Sequence, residues 1–159
     1  MMWPCCRRWP GGEMTSFLRS QAIDVEVLEV AVSAFGRGAT VTFVGTVRDH
    51  HVGRAVMALE YSAFDAMAEK VAAEIHAEAM ARWPVEVAMA HRIGDLAIGD
   101  VAVAVAVASA HRDAAFEACR WIVDSLKTRV PIWKRERYAD GTEAWVDPTT
   151  PGGVVPVSR

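Results

Sequence analysis

The strongest candidate for chemistry in this sequence is a run of cations between residues 127 and 137. The run contains one acidic residue, Glu136, and five basic ones: Lys127, Arg129, Lys134, Arg135 and Arg137. Its local charge is about +4 in a chain whose net charge is −3, so the positive charge is a local feature. Such a cluster predicts an anion-binding site. A solvated helix end, with its cations at the negative end of the helix dipole, is the alternative explanation.

Two other positions place polar side chains at the ends of predicted elements. Arg48 ends a predicted strand on the face that also carries Thr46, and His111 and Arg112 follow a second predicted strand where a helix begins. Free backbone amides and the helix dipole favour anions at a helix start. His111 and Arg112 would also serve as capping and salt-bridge residues of that helix. The residues alone leave both interpretations open.

Several enzyme classes are excluded because their motifs are absent. The sequence contains no GxxxxGK[ST], no GxGxxG after a strand, no GxSxG and no HExxH, which excludes P-loop, Rossmann, α/β-hydrolase and zincin sites. None of the five histidines pairs with a cysteine at zinc-ligand spacing. Cys119 falls in the apolar stripe of a predicted helix, as a buried structural thiol would. We therefore expect no metal site.

The composition predicts one domain without a membrane span. A chain of 159 residues matches the ~100–200 residues of a single domain. Its longest apolar run, Val101 to Ala108, is far shorter than the ~20 residues of a membrane helix. The net charge of −3 gives no general basic field for a nucleic acid. Three cysteines cannot form the disulfide framework of a small secreted protein, so we expect a reducing cytoplasm.

The two ends of the chain are predicted to lie outside this domain. Residues 1–13 show no hydrophobic period and precede a second methionine, Met14, so we expect a non-native or disordered extension there. Residues 14–147 then form the single domain. Residues 148–159 contain three prolines and a Gly-Gly pair and are predicted to form a flexible tail.

The elements that must position the candidate residues follow from a hydrophobic period that switches between two and about 3.6. Ala39–Arg48 is predicted to be a half-buried strand. Ala55–Tyr61 is predicted to pair with it antiparallel, across a loop beside Arg48. Asp65–Trp83 is predicted to be an amphipathic helix. Its apolar stripe contains Met67, Val71 and Ile75.

The second half of the chain repeats this alternation. Val85–Ile93 and Val101–Ser109 are predicted strands, and the latter is apolar on both faces, which is typical of a central strand. Its alanine face would let a helix approach closely, and Asp113–Val130 is predicted to be that helix. The predicted apolar stripe of this helix contains Phe116, Cys119, Val123, Leu126 and Val130. Two further predicted strands, Trp133–Tyr138 and Glu143–Val146, are connected by an Asp-Gly turn. Together with a short element around residues 25–34, these elements predict an α+β domain.

Five segments closely resemble, in order and spacing, the large catalytic subunit of molybdopterin synthase. They are GATVTFVGTVRDHHVGRAV, LEYSAFDAMAEK, HRIGDLAIGD, SAHRDAAFEACRWIVDSLKTRVPIWKRE and DGTEAWV, between Gly38 and Val146. The resemblance implies an α/β-hammerhead-like α+β fold, with two helices packed on a mostly antiparallel sheet. The chain departs from the family at His51, where Asn is frequent, and in its short segment before Gly38.

The resemblance also implies an activity, partners and site residues. It implies a homodimer whose subunits each bind a small ubiquitin-like sulfur carrier with a C-terminal Gly-Gly thiocarboxylate. Two sulfurs from that carrier convert cyclic pyranopterin monophosphate into the dithiolene of molybdopterin. Because the carrier brings the sulfur, the resemblance implies no metal or redox cofactor. For that reaction, the expected catalytic residues are Lys127 and Lys134. The implied substrate-binding residues are Thr46, Val47, Arg48, His111, Arg112, Lys127, Lys134, Arg135 and Glu136.

The chemistry of these side chains agrees with that reaction. Arg48, Arg112 and Arg135 suit bidentate contacts to a phosphate and a carboxylate. A lysine can transfer a proton or stabilise an oxyanion at the thiocarboxylate carbon. The same basic run leaves an RNA-binding or regulatory module as the alternative, although Trp133 is its single aromatic residue. A noncatalytic docking protein for a ubiquitin-like partner is a third possibility.

Overall fold

The computed structural model describes residues 16–146 and the backbone of residues 154–156. The described chain is α+β, as predicted. Its elements are β1 (Leu18–Arg19), α1 (Val25–Val32), β2 (Ala39–Thr46), β3 (His50–His51), β4 (Arg54–Ala63), α2 (Asp65–Arg82), β5 (Val85–Arg92), β6 (Gly94–Ala97), β7 (Val101–Ser109), α3 (Arg112–Arg129), β8 (Ile132–Tyr138), β9 (Glu143–Val146) and β10 (Val154–Pro156). The predicted extension at residues 1–13 lies outside the described residues. Of the predicted tail, only β10 is described, and it pairs with β9.

Four strands form the first sheet in the order β1-β5-β7-β2. The prediction that β7 is a central strand is confirmed, since it pairs antiparallel with both β5 and β2. Its valine face carries Val105 and Val107, which pack against α2 and α3. Its alanine face packs against Leu28 and Val32 of α1. The sheet is therefore covered by helices on both faces.

The expectation that residues 113–130 cover the alanine face of β7 is wrong. The short helix α1 covers that face, and α3 packs on the valine face. The reason is complementary size: the inner face of α3 is itself rich in small residues, including Ala115 and Ala118. Small residues on a helix fit against valines on a sheet, whereas the larger Leu28 fits above the alanines.

The apolar stripes of the two long helices are displaced from the predicted ones. Met67 is 43% exposed and Phe116 is 60% exposed, although both were expected to face the core. Alanines take their place, because small side chains let the helices approach the sheet closely. The buried residues of α2 are Ala68, Ala72, Ile75 and Ala79.

A second sheet has the order β10-β9-β8-β4-β3, and β6 also pairs with β4. The expected antiparallel pair of residues 39–48 with residues 55–61 is wrong, because β2 pairs with β7 while β4 pairs with β3, β6 and β8. The loop between them contains its own tight hairpin, with Val52 and Gly53 at its tip. Both tip residues have positive φ, 47° and 75°.

The two sheets meet around Tyr61. This half-buried residue packs against the core beneath the first sheet and also against the second core, which contains Val47, Leu59 and Tyr138. The chain passes from the first sheet toward the second after Thr46 and again at Pro131. The candidate residues of β2, α3 and β8 lie next to these two crossings.

Candidate functional site

Lys127 and Lys134 lie on either side of one crossing between the sheets. Lys127 is in the last turn of α3, and Lys134 is the third residue of β8. Lys127 is exposed, and its Nζ lies 5.8 Å from the centre of the Phe43 ring. Lys134 pairs in register with Tyr61, and the side chains of Phe43 and Tyr61 pack against the same hydrophobic core.

A buried carboxylate lies beside Lys134. Glu136 is only 2% exposed, and three side chains contact it. Lys134 Nζ is 3.1 Å from Oε1, His51 Nδ1 is 2.9 Å from Oε2, and the Tyr138 hydroxyl donates to Oε2 at 2.8 Å. The carboxylate is thus surrounded by donors, as a buried charge requires.

These contacts keep Glu136 ionised. Burial alone would raise its pKa, but the Tyr138 hydroxyl, the Lys134 ammonium and His51 together hold the pKa below its ordinary value. An ionised carboxylate only accepts hydrogen bonds, so Nδ1 of His51 carries the proton and donates it. Burial, followed by the hydrogen bond to Glu136, raises the pKa of Tyr138 to about 12, so Tyr138 also remains a donor.

Tyr61 lies within range of the charges of both Arg48 and Glu136. Burial raises the pKa of Tyr61 to about 12, the charge of Glu136 raises it as well, and the charge of Arg48 lowers it. Both charges therefore act on one ring. His91 meets this ring edge-on, with ring centres 5.0 Å apart. Burial lowers the pKa of His91 to about 4, so His91 is neutral at pH 7.

The structure does not bring the five cations of the basic run together. Side chains alternate along a strand, and Arg135 and Arg137 lie on the face of β8 opposite Lys134. They form ion pairs with Glu60 and Glu143. Arg129 pairs with carboxylates of α2. A nucleic-acid backbone would therefore not meet a continuous basic patch here. Across residues 16–146, the ion pairs within 4 Å do not include Lys127 or Arg48.

Thr46 and Val47 lie at the end of β2, before Arg48. Thr46 is exposed, whereas Val47 is 4% exposed and belongs to the second core. The Val47 N–H donates to the carbonyl of Asp100, and its carbonyl accepts from the N–H of Gly99. Within a single chain, the buried side chain and the backbone hydrogen bonds of Val47 thus fix the direction of the neighbouring Arg48.

His111 and Arg112 lie at the far end of α3 from Lys127. His111 is the N-cap residue and Arg112 begins the helix; both are exposed and line a shallow depression with Gly38 and Ala39. A Cβ on Gly38 would lie 2.8 Å from the Ala110 carbonyl oxygen, so glycine permits this close approach. Arg112 and Lys127 are fifteen positions apart along α3, a rise of about 22 Å. Within one chain, Arg112 and Lys127 therefore do not belong to the same site.

His51 and Tyr138 were not predicted to be partners of Glu136. Tyr138 could have been found, because Lys134, Glu136 and Tyr138 alternate on one face of a predicted strand. His51 had no local signal, since 85 positions separate it from Glu136. The short strand β3, which holds it, was expected to be loop.

Other features of the described residues bear on function. No group of three potential metal-ligating side chains occurs among residues 16–146. Cys119 is buried, and burial raises the pKa of its thiol, as expected for a structural cysteine. None of the described helices has the length and apolar character required to cross a membrane.

The chain is similar to proteins of one family. The family model described as MoaE protein matches residues 18–129. The molybdopterin synthase catalytic subunit of Escherichia coli (strain K12) is 51% identical over 111 residues, 69% of this chain and 73% of that protein. That of Pyrococcus abyssi is 43% identical over 130 residues, 81% of this chain and 87% of that protein. The crystal structure of molybdopterin synthase from Staphylococcus aureus matches with a TM-score of 0.79 and 37% identity, covering 84% and 98% of the two chains.

Proposed function

Because this chain belongs to the MoaE protein family, whose curated members are catalytic subunits of molybdopterin synthase, we propose that it performs the sulfur transfer of molybdenum cofactor biosynthesis. The sulfur comes from the thiocarboxylate at the C-terminal Gly-Gly of a small ubiquitin-like carrier. The acceptor is cyclic pyranopterin monophosphate, and the product is the dithiolene of molybdopterin. The observation that carries the assignment of the site is the pair Lys127 and Lys134 beside one crossing between the sheets.

The two lysines differ in their surroundings, and we assign them different tasks. Lys127 is exposed, so its ammonium is available to an incoming anion. Lys134 is held against the buried Glu136 carboxylate, so its ammonium has a defined place. The thiocarboxylate sulfur forms a bond to an electrophilic pterin carbon while a C–O bond at that carbon breaks, and the departing oxygen takes up a proton. Water then cleaves the acyl–sulfur bond, which leaves the sulfur on the pterin and releases the carrier as a carboxylate. A fixed ammonium stabilises the tetrahedral oxyanion of that step.

Arg48 is the anion-binding arginine that this geometry favours most. It is exposed two residues beyond the end of β2, and its charge acts on Tyr61, which pairs in register with Lys134. A charge-assisted hydrogen bond to a phosphate is worth about 1.5–3 kcal/mol. Arg135 instead forms ion pairs with Glu60 of β4 and Glu143 of β9. We therefore expect it to hold neighbouring strands of the second sheet together.

A homodimer accounts for His111 and Arg112. β2 is an edge strand of the first sheet among the described residues, and such an edge can pair with a second chain. His111 lies near the start of β2, whereas Lys127 lies near Phe43 toward its other end. Antiparallel pairing of two β2 edges about a two-fold axis would therefore bring His111 and Arg112 of the partner subunit toward Lys127.

Mixing two inactive variants tests this shared site. Lys127→Ala and the double variant His111→Ala/Arg112→Ala each lack one half of the site. If the site is shared, random reassociation gives about half mixed dimers, each with one intact site, and about a quarter of wild-type activity returns. A mixture that stays inactive while mixed dimers are present contradicts a shared site.

The reaction belongs in the cytoplasm under this proposal, as the cysteine content of the sequence predicts. Cys119, a free buried thiol, fits a reducing compartment.

The experiment that tests the function is reconstitution. The purified chain is mixed with cyclic pyranopterin monophosphate and either a thiocarboxylated carrier or the same carrier ending in a carboxylate. Dithiolene should form only with the thiocarboxylate. No product with either carrier contradicts the proposal.

A further inference from the structure

The two oxygens of the buried Glu136 carboxylate have different partners. Oε1 faces the Lys134 ammonium at 3.1 Å. Oε2 accepts from His51 Nδ1 at 2.9 Å and from the Tyr138 hydroxyl at 2.8 Å. Two donors on Oε2 fix the plane of the carboxylate, and this plane sets the direction in which Oε1 holds the lysine.

His51 reaches Glu136 from a separate element. It ends the short strand β3, and the tight turn at Val52 and Gly53 connects it to Arg54 of β4. The Arg54 guanidinium lies 3.6 Å from the centre of the Tyr138 ring and also pairs with Asp140. Both flanks of this hairpin therefore contact the residues around Glu136.

The backbone of the turn shows that the hairpin is held in place. Val52 has φ of 47°, a left-handed conformation that is unfavourable for a β-branched residue. Val52 is 68% exposed, so its own side chain provides little compensation. The contacts of His51 and Arg54 on either side stabilise the turn instead.

We infer that His51 is a positioning residue of the sulfur-transfer site: its Nδ1–H fixes the Glu136 carboxylate, which in turn holds Lys134. The inference rests on the proposed catalytic role of Lys134. His51 itself contacts Glu136 and not the reacting atoms. Because a small misplacement of a reacting group is costly in rate, we expect the loss of this one donor to reduce turnover.

The geometry of histidine supplies a matched pair of test variants. Nδ1 is bonded to Cγ, so the Nδ2 of an asparagine occupies nearly the same place. The Nε2 of a glutamine lies one bond further out and matches the other ring nitrogen. His51→Asn should therefore keep the donor to Glu136, whereas His51→Gln and His51→Leu should lose it.

The first measurement is steady-state kinetics of dithiolene formation with the thiocarboxylated carrier. We expect kcat of His51→Asn within about twofold of wild type, and kcat of His51→Gln and His51→Leu about tenfold lower, each with KM nearly unchanged. Melting temperatures identify any variant that fails to fold, and the Asn–Gln comparison then decides. Equal kcat for wild type, Asn and Gln variants overturns the inference.

The second measurement does not depend on the reaction. Limited acetylation at a fixed pH, followed by mass spectrometry, reports the labelling rate of the Lys134 amine. It should rise several-fold in His51→Gln and His51→Leu but not in His51→Asn, while the exposed Lys70 labels equally in all four proteins. Unchanged Lys134 labelling overturns the inference. Altered labelling in the His51 variants together with wild-type kcat in Lys134→Ala contradicts the proposed catalytic role of Lys134, on which the inference rests. Loss of function in Lys134→Ala but not in His51→Leu contradicts the inference alone.

Discussion

The Lys134 ammonium lies 3.1 Å from the Glu136 carboxylate, two residues further along the same strand, and that carboxylate is buried. Residues two apart on a strand face the same side of the sheet, so the backbone itself brings this pair together. A buried ion pair contributes little net stability compared with apolar residues of similar size. We therefore interpret the pair as a device that fixes the lysine.

Replacing Glu136 with Gln tests this interpretation. The amide keeps the volume of the side chain but removes the charge that holds Lys134, His51 and Tyr138. We expect dithiolene formation to fall at least tenfold and the free energy of unfolding to fall by about 1–3 kcal/mol. Turnover and urea denaturation measure the two effects. Wild-type turnover in Glu136→Gln would show that Lys134 needs no charged partner.

The strained backbone at Val52 suggests a substitution that should stabilise the protein. Asparagine tolerates the left-handed conformation better than valine, and Asn-Gly is the preferred pair for this hairpin turn. Because Val52 is exposed, the substitution Val52→Asn buries nothing and should stabilise the protein by about 1 kcal/mol. Thermal denaturation checks the sign. A lower melting temperature would mean that the valine side chain has a contact that outweighs its backbone strain.

Because His91 is buried, we expect the protein to lose stability in mild acid. Burial lowers its pKa from 6.5 to about 4 in the folded chain, so between these values the unfolded chain binds more protons. The free energy of unfolding should then fall as the pH drops from 6.5 toward 4, by at most about 1.4 kcal/mol per pH unit.

The variant His91→Gln cannot titrate in this range, so it should show a flatter profile. Urea denaturation of both proteins at several pH values between 4 and 7 compares the slopes. Parallel profiles would show that His91 is charged in the folded protein or contributes nothing to acid sensitivity.

Elements with a strong local period were predictable. β7 alternates valine and alanine on two buried faces, and α2 and α3 are long segments ended before Pro84 and Pro131. Their type and approximate bounds follow from side-chain periodicity and from the effect of proline on the preceding residue. Which face of α2 and of α3 is buried was harder to predict, because alanine fits both a core and a surface.

Relations between distant segments were not predictable from local pattern. Neighbouring strands in sequence are often paired, which favoured a β2–β4 hairpin, yet β2 pairs with β7. The contact of His51 with Glu136 likewise depends on that arrangement. The resemblance located His51 only as a departure from a frequent Asn, and an Asn there would offer a donor at the same place.

The most direct test of the proposed catalytic lysines compares single-turnover dithiolene formation by Lys127→Ala, Lys134→Ala and Lys70→Ala. Lys70 is an exposed lysine of α2 and serves as the matched control. We predict a loss of about a hundredfold or more for the first two, wild-type rates for Lys70→Ala, and retained carrier binding and folding in all three. Wild-type rates in both Lys127→Ala and Lys134→Ala would contradict the proposed role of these lysines.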